Sequence, residues 1–196
     1  MRPSKRDELV RKALVVFYRD GFHATGMDLL AAETGISKTT MFKHFRTKEE
    51  LILAALRLRD QDFRSWLFRR MEQAGPPRAQ LLAMFDALAE WFAAPDFRSC
   101  MFIKAASEYP EPDHPIHAQA AEHKRLLYRQ VREIAAESGA EDPATLARAL
   151  LLLKEGAIVT AHLGHETDPA GDAKAVAAAL LAAQCRHAHG RDTPSG

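Results

Sequence analysis

An all-α fold is predicted, on three observations. Apolar residues recur at helical spacing, as at Val10, Leu14 and Phe17 with Ala13 beside them. Glycines and prolines punctuate the chain between such runs, as at Gly21, Gly35, Gly75-Pro76-Pro77 and Pro110 to Pro115. No stretch alternates with period two and β-branched residues, so no sheet is expected.

The elements follow in order. Gly21 ends the first helix. Thr25 offers an N-cap for a short second helix, Met27 to Thr34. Gly35 supplies a permissive turn residue and Ser37 caps a third helix. Thr47, with Glu50 three residues on, reads as a capping box opening a longer fourth helix through Leu51, Ala55, Leu58 and Phe63 to about Met71. Beyond the Gly75-Pro76-Pro77 break a helix runs from about Arg78 to Ala93, and a short segment from Phe97 to Tyr109. Helices from about Ile116 to Ser138, Asp142-Pro143 to Leu163 and Pro169 to His187 complete the chain, the last two opening on proline at its favoured first-turn position. The expected organisation is a three-helix module over 1–46, a helical domain over 47–189 and a disordered tail over 190–196.

Composition removes several functional classes. The 196 residues, 47% hydrophobic, suffice for one core or two small ones. Two cysteines, Cys100 and Cys185, give no disulfide framework and fit a reducing compartment. No signal peptide and no run of ~18 uncharged apolar residues is present, so a soluble, cytoplasmic protein without membrane partners is expected. A net charge of +1 rules out a globally basic coat but leaves room for a local basic face, and the first 50 residues hold ten Lys/Arg against seven Asp/Glu.

The stretch Gly35-Ile36-Ser37-Lys38-Thr39-Thr40-Met41-Phe42-Lys43-His44-Phe45 carries the functional signal. Two short helices joined at Gly35, the second capped and polar outside, describe a helix-turn-helix. Leu30, Ala31, Ile36 and Met41 can fasten the pair, leaving Lys38, Thr39, Thr40, Lys43 and His44 outward. Hydroxyls and backbone N–H groups at a helix start suit phosphate oxygens, and a threonine methyl suits thymine. Lys48 adds a cation where the helix dipole disfavours one. The basic residues Arg2, Lys5 and Arg6 form a possible minor-groove arm.

The run from Gly21-Phe22 through Thr25, Leu29-Leu30-Ala31, Gly35-Ile36-Ser37, Met41-Phe42, His44-Phe45 and Lys48-Glu49-Glu50-Leu51 closely resembles the N-terminal domain of TetR-type bacterial transcriptional regulators. The match covers roughly the first 55 residues. It implies a DNA-binding surface of Thr25, Ser37, Lys38, Thr39, Thr40, Phe42, Lys43, His44 and Lys48 on a double-stranded operator. Position 42 departs from the family pattern: tyrosine is usual there, and Phe42 lacks the hydroxyl that reaches a phosphate. In such proteins the remaining helices form a ligand-binding and dimerisation domain.

In the second half, Phe63, Trp66, Met84, Phe85, Leu88, Trp91, Phe92, Cys100, Met101 and Tyr128 are large, adaptable side chains. They suit either plain core packing or the walls of a mostly apolar effector cavity. Cys100 and Lys104 stand at i, i+4 in a helical reading, which raises a thiol-sensor alternative to an inert buried cysteine. His114/His117 and His162/His165 lack a strong metal-ligand pattern, and neither a metal nor another cofactor is expected. No nucleophile elbow or phosphate loop occurs, so an enzyme is not expected.

Leu150, Leu153 and Ala157, then Val176, Ala179, Leu180 and Ala183, give the last two helices apolar faces suited to packing within one chain or across a two-fold axis. The resemblance favours the two-fold axis, hence a homodimer. The expected function is a ligand-responsive DNA-binding regulator, a repressor released from a palindromic operator by a small molecule. The alternative is a protein-interaction module whose helix-turn-helix no longer reads DNA.

Overall fold

The computed structural model describes residues 4–164 and 168–184. Among them are nine helices and no strand: α1 (Lys5–Asp20), α2 (Met27–Thr34), α3 (Lys38–His44), α4 (Lys48–Glu72), α5 (Pro77–Phe92), α6 (Met101–Glu108), α7 (Pro115–Glu137), α8 (Pro143–His162) and α9 (Pro169–Gln184). The tail over 190–196, together with Arg2, His165, Cys185 and His187, lies outside the described residues.

By packing the chain forms two compact units, and their limits differ from the 46/47 boundary drawn on the sequence. One gathers the chain up to Ser65 with Cys100–Arg125; the other gathers Trp66–Ser99 with the chain from Leu126 on. The first unit closes on Leu9, Ala13, Phe17, Phe22, Leu30, Met41, Ile52 and Leu56, all fully buried. In it α1 packs on α2 and α2 on α3, each turning its apolar residues inward. The second unit closes on Leu67, Met71, Leu81, Met84, Leu88, Val131, Leu146, Leu150 and Ile158. There α9 lies against α5 and α8. No described helix is long and apolar enough to cross a membrane.

Most of the local signals act as read. Gly21 (φ 86°) and Gly35 (φ 67°, left-handed) end α1 and α2, their N–H groups donating hydrogen bonds to Phe17 O and Ala31 O. The Ser37 hydroxyl accepts the Thr40 N–H at 3.2 Å. Asp142 accepts the N–H groups of Ala144 and Thr145 at 3.1 and 3.0 Å, with Pro143 behind it.

Four readings are corrected. The N-cap of α2 is Gly26; Thr25 is fully buried and donates its hydroxyl to Gly21 O at 2.6 Å, closing the loop from inside. The Thr47/Glu50 capping box is half formed: Thr47 accepts the Glu50 N–H at 3.2 Å, but the Glu50 carboxylate turns to the Arg46 N–H at 2.7 Å. Lys5 and Arg6 already belong to α1, and the Arg6 guanidinium sits 5.0 Å over the Phe45 ring, so they do not form a free arm. Phe97 to Cys100 is not helical. Ser99 holds φ 70° and Cys100 is the N-cap of α6, so Cys100 and Lys104 do not share a helix face. The ammonium beside the Cys100 thiol is instead that of Lys124, at 3.4 Å.

Candidate nucleic-acid interface

The turn between α2 and α3 is built from its own residues. Thr34 donates its hydroxyl to Leu30 O at 2.6 Å and accepts the Ile36 N–H at 3.2 Å, so its buried hydroxyl is satisfied both as donor and as acceptor. Lys12 reaches across from α1 to Thr34 O at 2.8 Å. Met41 is fully buried and pins α3 to the core, with Phe45 buried at its end.

That anchoring turns the opposite face of α3 outward. Ser37, Lys38, Thr39, Phe42, Lys43 and His44 are exposed and Thr40 is half-buried. The Ser37 and Thr40 hydroxyls lie 3.0 Å apart at the helix start. Lys38 pairs with Asp28 of α2 at 2.6 Å, an exposed contact that water and salt weaken. Lys43 and His44 make no ion pair among the described residues. Phe42 is 50% exposed, an aromatic ring standing in solvent rather than in a core. The surface therefore joins hydroxyls, cations and one apolar ring along seven residues.

Two sequence-predicted residues stand differently. Thr25 faces inward, as described above. Lys48 is half-buried and donates to Phe22 O at 3.0 Å, so its ammonium holds the turn after α1. Sequence reasoning passed over Glu108 and Tyr109, which meet that turn from the end of α6. Glu108 meets the turn 86 positions earlier in the chain, a pairing for which local sequence carries no signal. Tyr109 is buried with its hydroxyl unpartnered; burial first, then the carboxylates of Glu49 and Glu108, push its pKa up to about 12.

The chain is similar to known proteins. The family model of bacterial regulatory proteins, tetR family, matches residues 9–55. A DNA-binding transcriptional repressor TetR from Mycobacteroides abscessus is 30% identical over 159 residues, 81% of this chain and 74% of its own length. The chain belongs to the TetR family. The HTH-type transcriptional regulator YjdC of Escherichia coli is 27% identical over 79% of this chain and 81% of its own length. A TetR-family transcriptional regulator from Streptomyces coelicolor superposes with a TM-score of 0.86 at 28% identity, covering 92% of this chain and 95% of its own. This TetR-family protein is thus a DNA-binding transcriptional regulator, with an N-terminal helix-turn-helix and a C-terminal helical domain.

The remaining candidate residues divide between the two units. Phe63, Cys100 and Met101 are buried in the first. In the second, Met84, Phe85 and Leu88 are buried in the core, while Trp66, Trp91, Phe92 and Tyr128 are half-buried. Trp91 meets Phe97 edge-on at 5.0 Å. Between α8 and α9 runs an open groove of about 530 Å³, lined by Leu152, Leu153, Gly156, Ala157, Val176 and Leu180 among others. Leu150, expected on this face, is instead fully buried, because it points from α8 into the core. Leu152, not anticipated, is 74% exposed. Ala179 and Ala183 are exposed on α9. No group of three or more His, Cys, Asp or Glu among the described residues could hold a metal. His114 accepts the Ile116 N–H and His117 donates to Tyr109 O, which gives both rings structural bonds.

Proposed function

We propose that this protein is a repressor that binds a palindromic operator as a homodimer and leaves it when a small molecule fills the C-terminal domain. The observation that carries the DNA-reading part is α3 itself, pinned by the buried Met41 while Ser37, Thr39, Lys43 and His44 face outward from a capped start. Such a helix offers hydroxyls and cations to base edges and phosphates in a major groove. The proposed surface is Ser37, Lys38, Thr39, Thr40, Phe42, Lys43 and His44, with Lys48 and Thr25 supporting it from inside.

Homodimerisation is supported by the exposed apolar residues Leu152 and Val159 on α8, Leu163 at its C-cap and Val176 on α9, together with Leu153, Leu180 and the small Ala157, Ala179 and Ala183. One short helix touches few base pairs, whereas two read half-sites ~10 bp apart or a multiple of it. Repression is favoured by the relative from Mycobacteroides abscessus, a DNA-binding transcriptional repressor. The effector, a small molecule, would be held within the second unit, among Trp66, Met84, Phe85, Leu88, Trp91, Phe92 and Tyr128. It would release DNA by favouring a state in which the two heads no longer match the half-sites, with α4 as the lever.

The test is enrichment of duplexes from a randomised library by the purified protein. A palindromic consensus supports the reading, and enrichment of nothing above background rejects it. On such a duplex, Lys43→Ala is expected to weaken binding for all sequences alike and to reduce the salt slope by about one charge. An unchanged slope would remove Lys43 from the phosphate contacts. Phe42→Tyr is expected to hold or raise affinity by ~0.5–1.5 kcal/mol, since the exposed ring leaves room for a hydroxyl that reaches a phosphate. A clear loss in the folded variant would mean that the ring itself, and not a hydroxyl, is what this site uses.

A further inference from the structure

Glu108, the last residue of α6, ends against the turn that follows α1. Its carboxylate accepts the Phe22 N–H, at 3.0 Å through Oε1 and 2.9 Å through Oε2, and the His23 N–H at 2.5 Å through Oε2. Two successive backbone N–H groups converging on one anion form a nest, and here the anion comes from the protein itself. Gly21 makes the nest possible. It holds φ +86°, and a Cβ there would stand 2.9 Å from Glu108 Oε1. His23 returns the contact, its Nε2–H donating to Glu108 O at 2.7 Å while its ring stacks on Tyr109 at 4.7 Å. One turn earlier on α6, Lys104 donates to Tyr18 O at 3.2 Å.

The turn held in this way is the one that launches α2, and α2 carries α3 through the Thr34 and Gly35 bonds. We infer that Glu108 is a positioning residue for DNA reading: an internal anion that seats the turn at Phe22 and His23 and thereby sets the pose of α3 without touching DNA. This rests on the operator reading proposed above. Charge gives the inference a distinctive sign. Removing a carboxylate from the DNA-reading unit raises its positive charge, so electrostatics alone would strengthen binding to every duplex. Loss of positioning does the opposite, and only for the duplex that fits.

The experiment compares wild type, Glu108→Ala, Glu108→Gln and His23→Ala on the wild-type-enriched duplex and on a scrambled duplex of equal length, at several salt concentrations. Glu108→Ala is expected to bind the enriched duplex about tenfold more weakly or worse, with scrambled-duplex binding no weaker and the salt slope unchanged. Glu108→Gln keeps one acceptor oxygen and is expected to recover part of the loss. His23→Ala, an exposed substitution that spares the core, is expected to lose a few-fold on the enriched duplex alone. Equal or tighter binding by Glu108→Ala overturns the inference. If that variant fails to fold, wild-type discrimination by both Glu108→Gln and His23→Ala overturns it equally. A wild type that enriches no duplex rejects the operator reading, and the inference falls with it; an enriched duplex with indifferent variants rejects the inference alone.

Discussion

Replacing Asp60 with alanine is expected to lower the stability of the protein by about 3 kcal/mol, as for other buried ion pairs that lose one partner. Asp60 is 6% exposed on α4 and joins two elements of the first unit. Arg64 approaches it with Nε and Nη2 at 2.8 Å each, and the fully buried His123 of α7 donates its Nδ1–H at 2.7 Å, since an ionised carboxylate only accepts. Phe102 of α6 stacks on the His123 ring at 3.7 Å, which fixes the imidazole where the carboxylate needs it. Alanine would take the carboxylate acceptor away from a buried His123 N–H and a half-buried Arg64 guanidinium. Asp60→Asn keeps an acceptor and should cost less.

The same site sets an acid limit. Burial alone would raise the Asp60 pKa, but the hydrogen bonds and charges of His123 and Arg64 outweigh it and hold the value at about 2, below the ordinary 3.8. A carboxylate whose pKa is lowered on folding contributes stability above the unfolded value and loses it as pH falls toward the folded one. Urea unfolding of wild type should therefore weaken between pH 4 and pH 2, and the Asp60→Ala protein should lack this component. Equal stabilities for the two proteins at neutral pH would refute the account of the cluster.

Val176→Arg is the second large effect. Val176 is 49% exposed on the α8–α9 groove in a single chain, so arginine there should leave the stability of the chain within about 0.5 kcal/mol. Within a two-fold interface the same guanidinium would be buried without a partner, at a cost of several kcal/mol of association. Since each 1.4 kcal/mol is a factor of ten, dimerisation should weaken by about 100-fold or more. Sedimentation at micromolar concentration should show wild-type dimers and helical Val176→Arg monomers. A Val176→Arg protein that remains as tightly paired as wild type would move the interface off this groove.

Much of this fold was legible because its signals are local. Gly35, Ser37 and Pro143 act through their own backbone neighbours, and a cap or a turn needs nothing from elsewhere in the chain. The outward face of α3 was legible for a related reason, since burying Met41 dictates where Lys43 and Thr39 must point. The errors arose where the partner is distant. Lys48 looked like a free cation until Phe22 O came within reach, and Cys100 stood i, i+4 from Lys104 in a helical reading, whereas it is the extended N-cap of α6. Leu150 and Leu152 stand only two positions apart on α8, and the packing of α8 against its neighbours decides which is core and which is surface. The Asp60, His123 and Glu108 contacts were invisible because they join residues more than sixty positions apart.

The central claim, that two copies of α3 read one operator, is tested most directly by cutting the enriched palindromic duplex to a single half-site. The protein should bind the full site cooperatively as a dimer, and the half-site with affinity near that of scrambled DNA at the same salt concentration. A half-site bound as tightly as the full palindrome, by a single chain, would contradict the account.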